Sequence, residues 1–390
     1  MDFDEVIDRR GTHSSKWDTM EELYGVPPDS GLSMWVADMD FRAPKIIQEK
    51  LHGINSHGIY GYYGDYKEYN NSIKWWMKNR HNWEIDTSWI FTTHGLVNGT
   101  GLCIDAFTKP GDGIILFTPV YYQFSNLVEA ARRKVVECPL KLIDNHYHFD
   151  FVEYERNLSG DEKMVILCSP HNPGGRVWTK NELQEVAKFA KKHNLVLVSD
   201  EIHHDLVYPN KSHTVMPIAN PSVCDRLVMM TATTKTFNIA GAHSGNVIIS
   251  NPNLRQKFSQ RIKALGISPN SFGLFMATAA YSPEGAEWLD ELLHYIDGNR
   301  VIFDKEVNKI PGLSSMPLEG TYLAWVDFSG TGMEEEEFIY RVQEKAKIAV
   351  NHGSTFGTGG EKYLRFNLAT PRTLVVEATK RLKDAFSDLQ

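Results

Sequence analysis

The stretch "MVILCSPHNPGGRVWTKNELQEVAKFAKKHNLVLVSD" (residues 164–200) contains a whole architectural unit. It opens on the apolar run "MVILC", breaks at an Asn-Pro-Gly turn, continues through "TKNELQEVAKFAKKHN" with apolar residues at helical spacing, and closes on a second apolar run, "LVLVSD". Strand, helix and strand in this order are the pattern of two parallel strands joined by a crossover helix. Similar short runs recur on either side: "WIFTT" (89–93), "GIILF" (113–117), "RKVVECPL" (133–140), "RLVMMTA" (226–232) and "GNVIIS" (245–250). They are continuously apolar rather than alternating, as expected for strands covered on both faces. The expectation is an α/β protein whose large domain, residues 45–283, holds a seven-stranded, mainly parallel sheet with helices on both sides.

Beyond residue 280 the texture changes. A long helical stretch, "EWLDELLHYIDGNRVIFDKEVNKI", is followed by "GTYLAWVDF", an acidic helix start at "MEEEEF", the short strands "IAV" and "KYLRFNL", and a final helix from about Arg372. This mixed order predicts a smaller α+β domain over 284–390. Residues 1–44 show no sheet-like pattern of their own and are expected to pack with the small domain.

A formal net charge of -8 and a pI near 6.0 argue against nucleic acid or an anionic membrane surface as partner, since both attract a basic excess. Cys103, Cys138, Cys168 and Cys224 are scattered without CxxC spacing, so neither a disulfide framework nor a zinc cluster is expected. The start "MDFDEVIDRR" is acidic and no apolar run reaches membrane-span length, so a cytoplasmic location and a small-molecule substrate are the expectation.

In α/β sheets ligands bind beyond the carboxyl ends of the strands. Four endings carry chemistry there: "HNPGGRVW" after 168, "EIHHD" after Asp200, "TTKTFN" after 232, and "HGLVNGTG" after 93. They would bring Asn172, Asp200, His203, Lys235 and a glycine-led helix start at Gly95 to one rim. Singly, each has an ordinary reading: a turn, a helix cap, or a lysine that reaches back to water. His203 and His204 precede Asp205, but neither HExxH nor facial-triad spacing accompanies them, so no metal is expected. Together, a lysine in a dry cleft, a carboxylate and an anion-binding helix start are the components needed to hold pyridoxal phosphate. In that chemistry the lysine forms a Schiff base, and an aspartate keeps the pyridine nitrogen protonated.

The motifs "KWD" (16–18), "MWVADMDF" (34–41), "GIYGYYGDY" (58–66), "PVYYQF" (119–124), "SPHNPGGRVW" (169–178), "VSDEIHHDLVY" (198–208), "KTFNIAG" (235–241), "EGTYLAW" (319–325) and "YLRFNLATPR" (363–372) carry a resemblance almost end to end. The chain resembles the fold-type I pyridoxal-phosphate enzymes of the aminotransferase class I/II superfamily, and within it the MalY/PatB-like cystathionine β-lyase (C-S lyase) subgroup.

The resemblance implies that Lys235 is the Schiff-base lysine, Asp200 the partner of the pyridine nitrogen, and Asn172 a donor to the ring's phenolic oxygen. It implies that Tyr121 stacks on the ring, that His203 stands beside it, and that Thr234, Gly95, Leu96 and Val97 bind the phosphate. Tyr62 would reach the phosphate of the neighbouring subunit in a homodimer. Arg365 would take the substrate carboxylate in a bidentate fork, with Ala37 closing over it and Tyr122 nearby.

His203 stands where classical aminotransferases carry tyrosine, and His243 where they carry arginine; His94 also departs from the pattern. The reaction implied is α,β-elimination: Lys235 removes the Cα proton, a thiolate leaves Cβ with Tyr121 or Tyr122 as a candidate proton donor, and pyruvate, ammonia and a thiol result. Transamination needs the same Lys, Asp and Arg, and a regulatory role as partner of a transcription factor is a further alternative.

Overall fold

Strands form where the apolar runs predicted them, and their order places the chemistry. The computed structural model describes residues 1–389. Strand β1 (Leu32–Ser33) lies in the amino-terminal segment; β2 (Ile90–Thr93), β3 (Gly113–Leu116) and β4 (Lys134–Glu137) follow. A separate hairpin of β5 (Lys141–Ile143) and β6 (His146–His148) precedes β7 (Glu162–Cys168), β8 (Val196–Asp200), β9 (Leu227–Thr231) and β10 (Gly245–Ile248). The large sheet has seven strands in the order β2-β10-β9-β8-β7-β3-β4. All its neighbours run parallel except β10, which is antiparallel to both β2 and β9.

Continuous apolarity has the expected cause. Val165, Leu167 and Leu197 belong to one core, while the alternate residues Met164, Ile166 and Val198 belong to another. Both faces of the sheet are therefore dry. The crossover helix Lys180–Lys192 buries Leu183, Val186, Ala187, Phe189 and Ala190, and Thr179 and Glu182 close a capping box at its start.

The carboxyl-terminal part holds an antiparallel sheet in the order β11 (Ser314–Ser315), β12 (Leu323–Asp327), β15 (Tyr363–Asn367) and β14 (Asn351–His352). Its register places Arg365 between Trp325 and Asn351. The final helix spans Arg372–Ala385, and Asn299 on the long Pro283–Val307 helix donates to the carbonyls of Leu368 and Thr370 just before it. Among the described residues no helix is long and apolar enough to cross a membrane.

The amino-terminal segment holds one short strand that its sequence pattern does not announce. Leu32 and Ser33 do form a strand, pairing in parallel with β13 (Ile348–Ala349). Two residues are too few to show a period, so the sequence carries no sign of the pairing.

The segment is then strapped down electrostatically. The Lys16 ammonium is fully buried 2.7 Å from Asp40, whose other oxygen takes Trp17 Nε1 at 3.0 Å and Arg9 at 2.8 Å. Arg9 also forks onto Asp38 at 2.7 and 2.9 Å. Asn238 stitches the strap to the segment after the Thr233–Thr236 turn: its Nδ2 donates to the carbonyls of Met39 and Phe41, and its Oδ1 accepts from Met39 N.

Removing one partner of a buried pair strands the other charge. Asp40→Ala should therefore cost about 3 kcal/mol in denaturant unfolding, whereas Lys188→Ala, which breaks an exposed pair with Glu185, should leave the midpoint unchanged.

Candidate active site

Parallel neighbours deliver their carboxyl ends to the same rim, so the ends of β7, β8 and β9 converge. Beyond β7 comes Asn172; β8 ends on Asp200; β9 is followed by one helical turn, Thr233–Thr236, that presents Lys235. The helix Gly95–Phe107 starts one residue after β2, with no side-chain cap on its first amides. A cavity of about 380 Å3 lies at this rim. Lys235, Asp200, Asn172, His203, Thr234 and Tyr121 line it; so do Tyr122, Gly95, Leu96, Val97, Ala37 and Arg365.

Tyr62 is not brought there by its own chain. It stands fully exposed in a separate aromatic groove with Ile59, Tyr60, Tyr63 and Phe272.

Lys235 Nζ donates to Ala37 O at 2.6 Å, and Tyr322 Oη donates to the same carbonyl at 2.9 Å. Burial lowers the Lys235 pKa from 10.5 to about 8; Asp38 and Asp200 pull it up and Arg365 pushes it down. Burial raises the Asp200 carboxyl to about 7, although Ile202 N donates to its Oδ1 at 3.1 Å and Lys235 favours its ionised form. His203 is held well below the usual imidazole range by burial, with the charges of Lys235 and Arg365 adding to the effect. The Tyr121 phenol is pushed up by burial and stays a proton donor.

Arg365 is buried and fully engaged on one side. Nη1 donates to Asn172 Oδ1 at 2.9 Å, and Nη2 donates to Trp35 O at 2.9 Å and to Asn351 Oδ1. Its Nε, like His203 Nδ1, is buried without a hydrogen-bond partner among the described residues.

Trp35, Asn351 and Tyr322 join the site without a signal of their own in the sequence. Trp35 and Tyr322 sit inside motifs already singled out, so their neighbourhood was visible. Asn351 enters only through the cross-strand register with Arg365, which no local pattern announces. His94 and His243 also line the cavity; His243 does so with its backbone in the left-handed region (φ +45°).

These residues fit pyridoxal phosphate. A buried amine of lowered pKa suits a carbonyl partner, and a buried carboxylate raised to about 7 suits a cationic N–H opposite it. Uncapped amides at Gly95, Leu96 and Val97, with the Thr234 hydroxyl, suit a phosphate. A Cβ at Gly95 would meet nothing within 4 Å, but its φ of +78° is the left-handed conformation that favours glycine.

Fold and site together define an enzyme of the fold-type I pyridoxal-phosphate class. The chain belongs to the aminotransferase class I and II family, which it matches over residues 37–382. It is 37% identical over 390 residues to cystathionine beta-lyase PatB of Bacillus subtilis, covering 99% of this chain and 100% of that protein. It is 30% identical to protein MalY of Escherichia coli, with 98% of each chain covered. The crystal structure of cystalysin from Treponema denticola, which contains pyridoxal 5'-phosphate, is similar with a TM-score of 0.95 and 38% identity, over 100% of this chain and 99% of that one.

The lowered pKa of Lys235 has a direct readout. In cofactor-free protein the amine is half deprotonated near pH 8, so carbamylation of Lys235 by cyanate, followed by peptide mass spectrometry, should inflect there. Solvated lysines should inflect near their usual value of about 10.4. Inflection of Lys235 together with them would mean that its amine is hydrated.

Proposed function

We propose that this protein is a pyridoxal-phosphate-dependent carbon-sulfur β-lyase that cleaves cystathionine or related S-substituted L-cysteines to pyruvate, ammonia and a thiol. The observation that carries the reading is the pairing, in one cavity, of an amine lowered to about 8 with the buried guanidinium of Arg365. One serves as base and the other as anchor for an α-carboxylate. The choice of elimination rests on similarity to proteins named cystathionine beta-lyase.

When bound, the cofactor supplies an electron sink for the pair released at Cα. The chain does the rest. Arg365 presents its unpartnered Nε to the substrate carboxylate, and the bonds to Asn172 and Asn351 fix the plane of the guanidinium. Lys235 Nζ takes the Cα proton, its lowered pKa leaving a large neutral fraction near pH 7.5. With the cofactor in place, the Asp200 carboxylate would hold a proton on the pyridine nitrogen, and Asn172 would offer its amide to the ring oxygen. The Tyr121 phenol, kept protonated by burial, gives a proton to the departing sulfur. Water is limited by Ala37 and Trp35 of the strap, which close one side of the cavity.

The same reading takes residues 1–44, 45–283 and 284–390 as strap, large domain and small domain. It places the enzyme in the cytoplasm as a homodimer, in which the exposed Tyr62 crosses to the partner's phosphate.

Purified enzyme given cystathionine should release pyruvate with no keto-acid acceptor, as read by a lactate dehydrogenase coupled assay; activity that appears only with an acceptor would favour transamination. Lys235→Ala should lower kcat by about 10^3-fold or more, and Arg365→Ala should raise KM by about 10- to 100-fold with a smaller effect on kcat.

A further inference from the structure

On the outer side of the turn that follows β8, a second cavity of about 280 Å3 shares no lining residue with the active-site cavity. His81, His204 and Asp205 line it, and they come from distant parts of the chain: His81 ends the helix Lys67–His81, while His204 and Asp205 belong to the turn.

The geometry points to a binding site for one zinc ion, held by His81 Nε2, His204 Nε2 and a carboxylate oxygen of Asp205, with water from the cavity as fourth ligand.

The distances suit this donor set. His81 Nε2 lies 2.8 Å from Asp205 Oδ1 and His204 Nε2 lies 3.5 Å from Asp205 Oδ2. The three ligand atoms all fall within 4.8 Å of one another, and the two rings are 4.3 Å apart at their centroids. Tetrahedral zinc with ligands at about 2.0–2.2 Å requires ligand-to-ligand separations of roughly 3.4 Å, so small side-chain adjustments close the site.

The tautomer of His204 also calls for a cation. His204 Nδ1 lies 2.6 Å from Glu201 O, and a carbonyl only accepts, so Nδ1 carries the proton. In the neutral ring Nε2 is then a bare lone pair, and it faces the Asp205 carboxylate, which is itself an acceptor. That Nε2 is buried without a hydrogen-bond partner among the described residues. An imidazolium there would close on the carboxylate to about 2.7–2.9 Å rather than stand off at 3.5 Å. A cation between the two acceptors resolves the conflict, and the carbonyl on Nδ1 is the customary outer partner of a metal-bound histidine.

Asp205 is braced in the same way, taking Trp76 Nε1 at 2.9 Å and Thr236 Oγ1 at 2.8 Å. His81 Nε2 now donates to Asp205; as a ligand its proton moves to Nδ1. The cations in the cavity wall are turned away, Arg80 to Asp290 at 2.9 Å and Lys211 to Glu319 at 2.6 Å. His213 bonds Glu201 through Nε2 at 2.7 Å and is not a ligand in this arrangement. Because Thr236 is the neighbour of Lys235, the ion acts as a clamp behind the lysine turn and takes no part in the chemistry.

The test uses holoenzyme stripped with a chelator, dialysed, and titrated with zinc chloride. Bound zinc is read by elemental analysis, the thermal midpoint by calorimetry, and the ligand field by the visible spectrum of the Co2+-loaded protein. The expected result is one ion per chain, a midpoint raised by about 3 °C or more, and a tetrahedral or five-coordinate Co2+ spectrum. His81→Ala and His204→Gln should each weaken binding at least 100-fold, and His213→Ala should retain it. If His204→Gln does not fold, His81→Ala at the helix end decides. Less than one-tenth of an ion per chain at about 100 µM zinc, or binding unchanged in His81→Ala, would overturn the proposal.

Discussion

The desolvation of one amine, Lys235 Nζ, is the constraint on which the rest of the site depends. A buried ammonium is costly, and burial here takes the pKa from 10.5 to about 8. What prevents a hydrated, ordinary lysine is the strap. Ala37 O accepts from Nζ, and Ala37 is held there by the Lys16–Asp40–Arg9 cluster on one side and by Asn238, three residues beyond Lys235, on the other. The seven-stranded sheet brings the lysine to the rim, and the strap closes over its amine through Ala37 O.

Arg365 is the second fixed point and joins the two halves of the molecule. It comes from the small sheet, yet its guanidinium is bound by Asn172 from the large one and by the strap carbonyl of Trp35. Two cations, Lys235 and Arg365, then share a cavity with one carboxylate, Asp200, and burial disfavours the charged form of each. Such a site is complementary to ligands carrying anionic groups, which matches the proposed phosphate cofactor and amino-acid substrate.

Much of this was legible in the sequence because parallel strands place their ends together. Once 164–200 reads as strand, helix and strand, Asn172 and Asp200 must be neighbours, and Lys235 at the end of the next strand follows. Other features were hidden for physical reasons. An apolar run reads the same in either direction, so the antiparallel course of β10 left no mark. Asn351 reaches Arg365 through a register, and Trp35 through its backbone carbonyl, neither of which has a residue-type signal. His81 lies more than a hundred positions from His204, so the pair exists only in the fold. Tyr62, placed on the neighbour's phosphate by resemblance, stands in a groove apart from its own chain's cavity.

The central claim, that the buried amine of Lys235 is the group that takes the cofactor, is tested most directly by reducing the purified holoenzyme with borohydride and mapping the product by peptide mass spectrometry. The predicted result is loss of the visible absorbance with one pyridoxyl-phosphate adduct per chain on Lys235. An adduct on another lysine, or none, would contradict it.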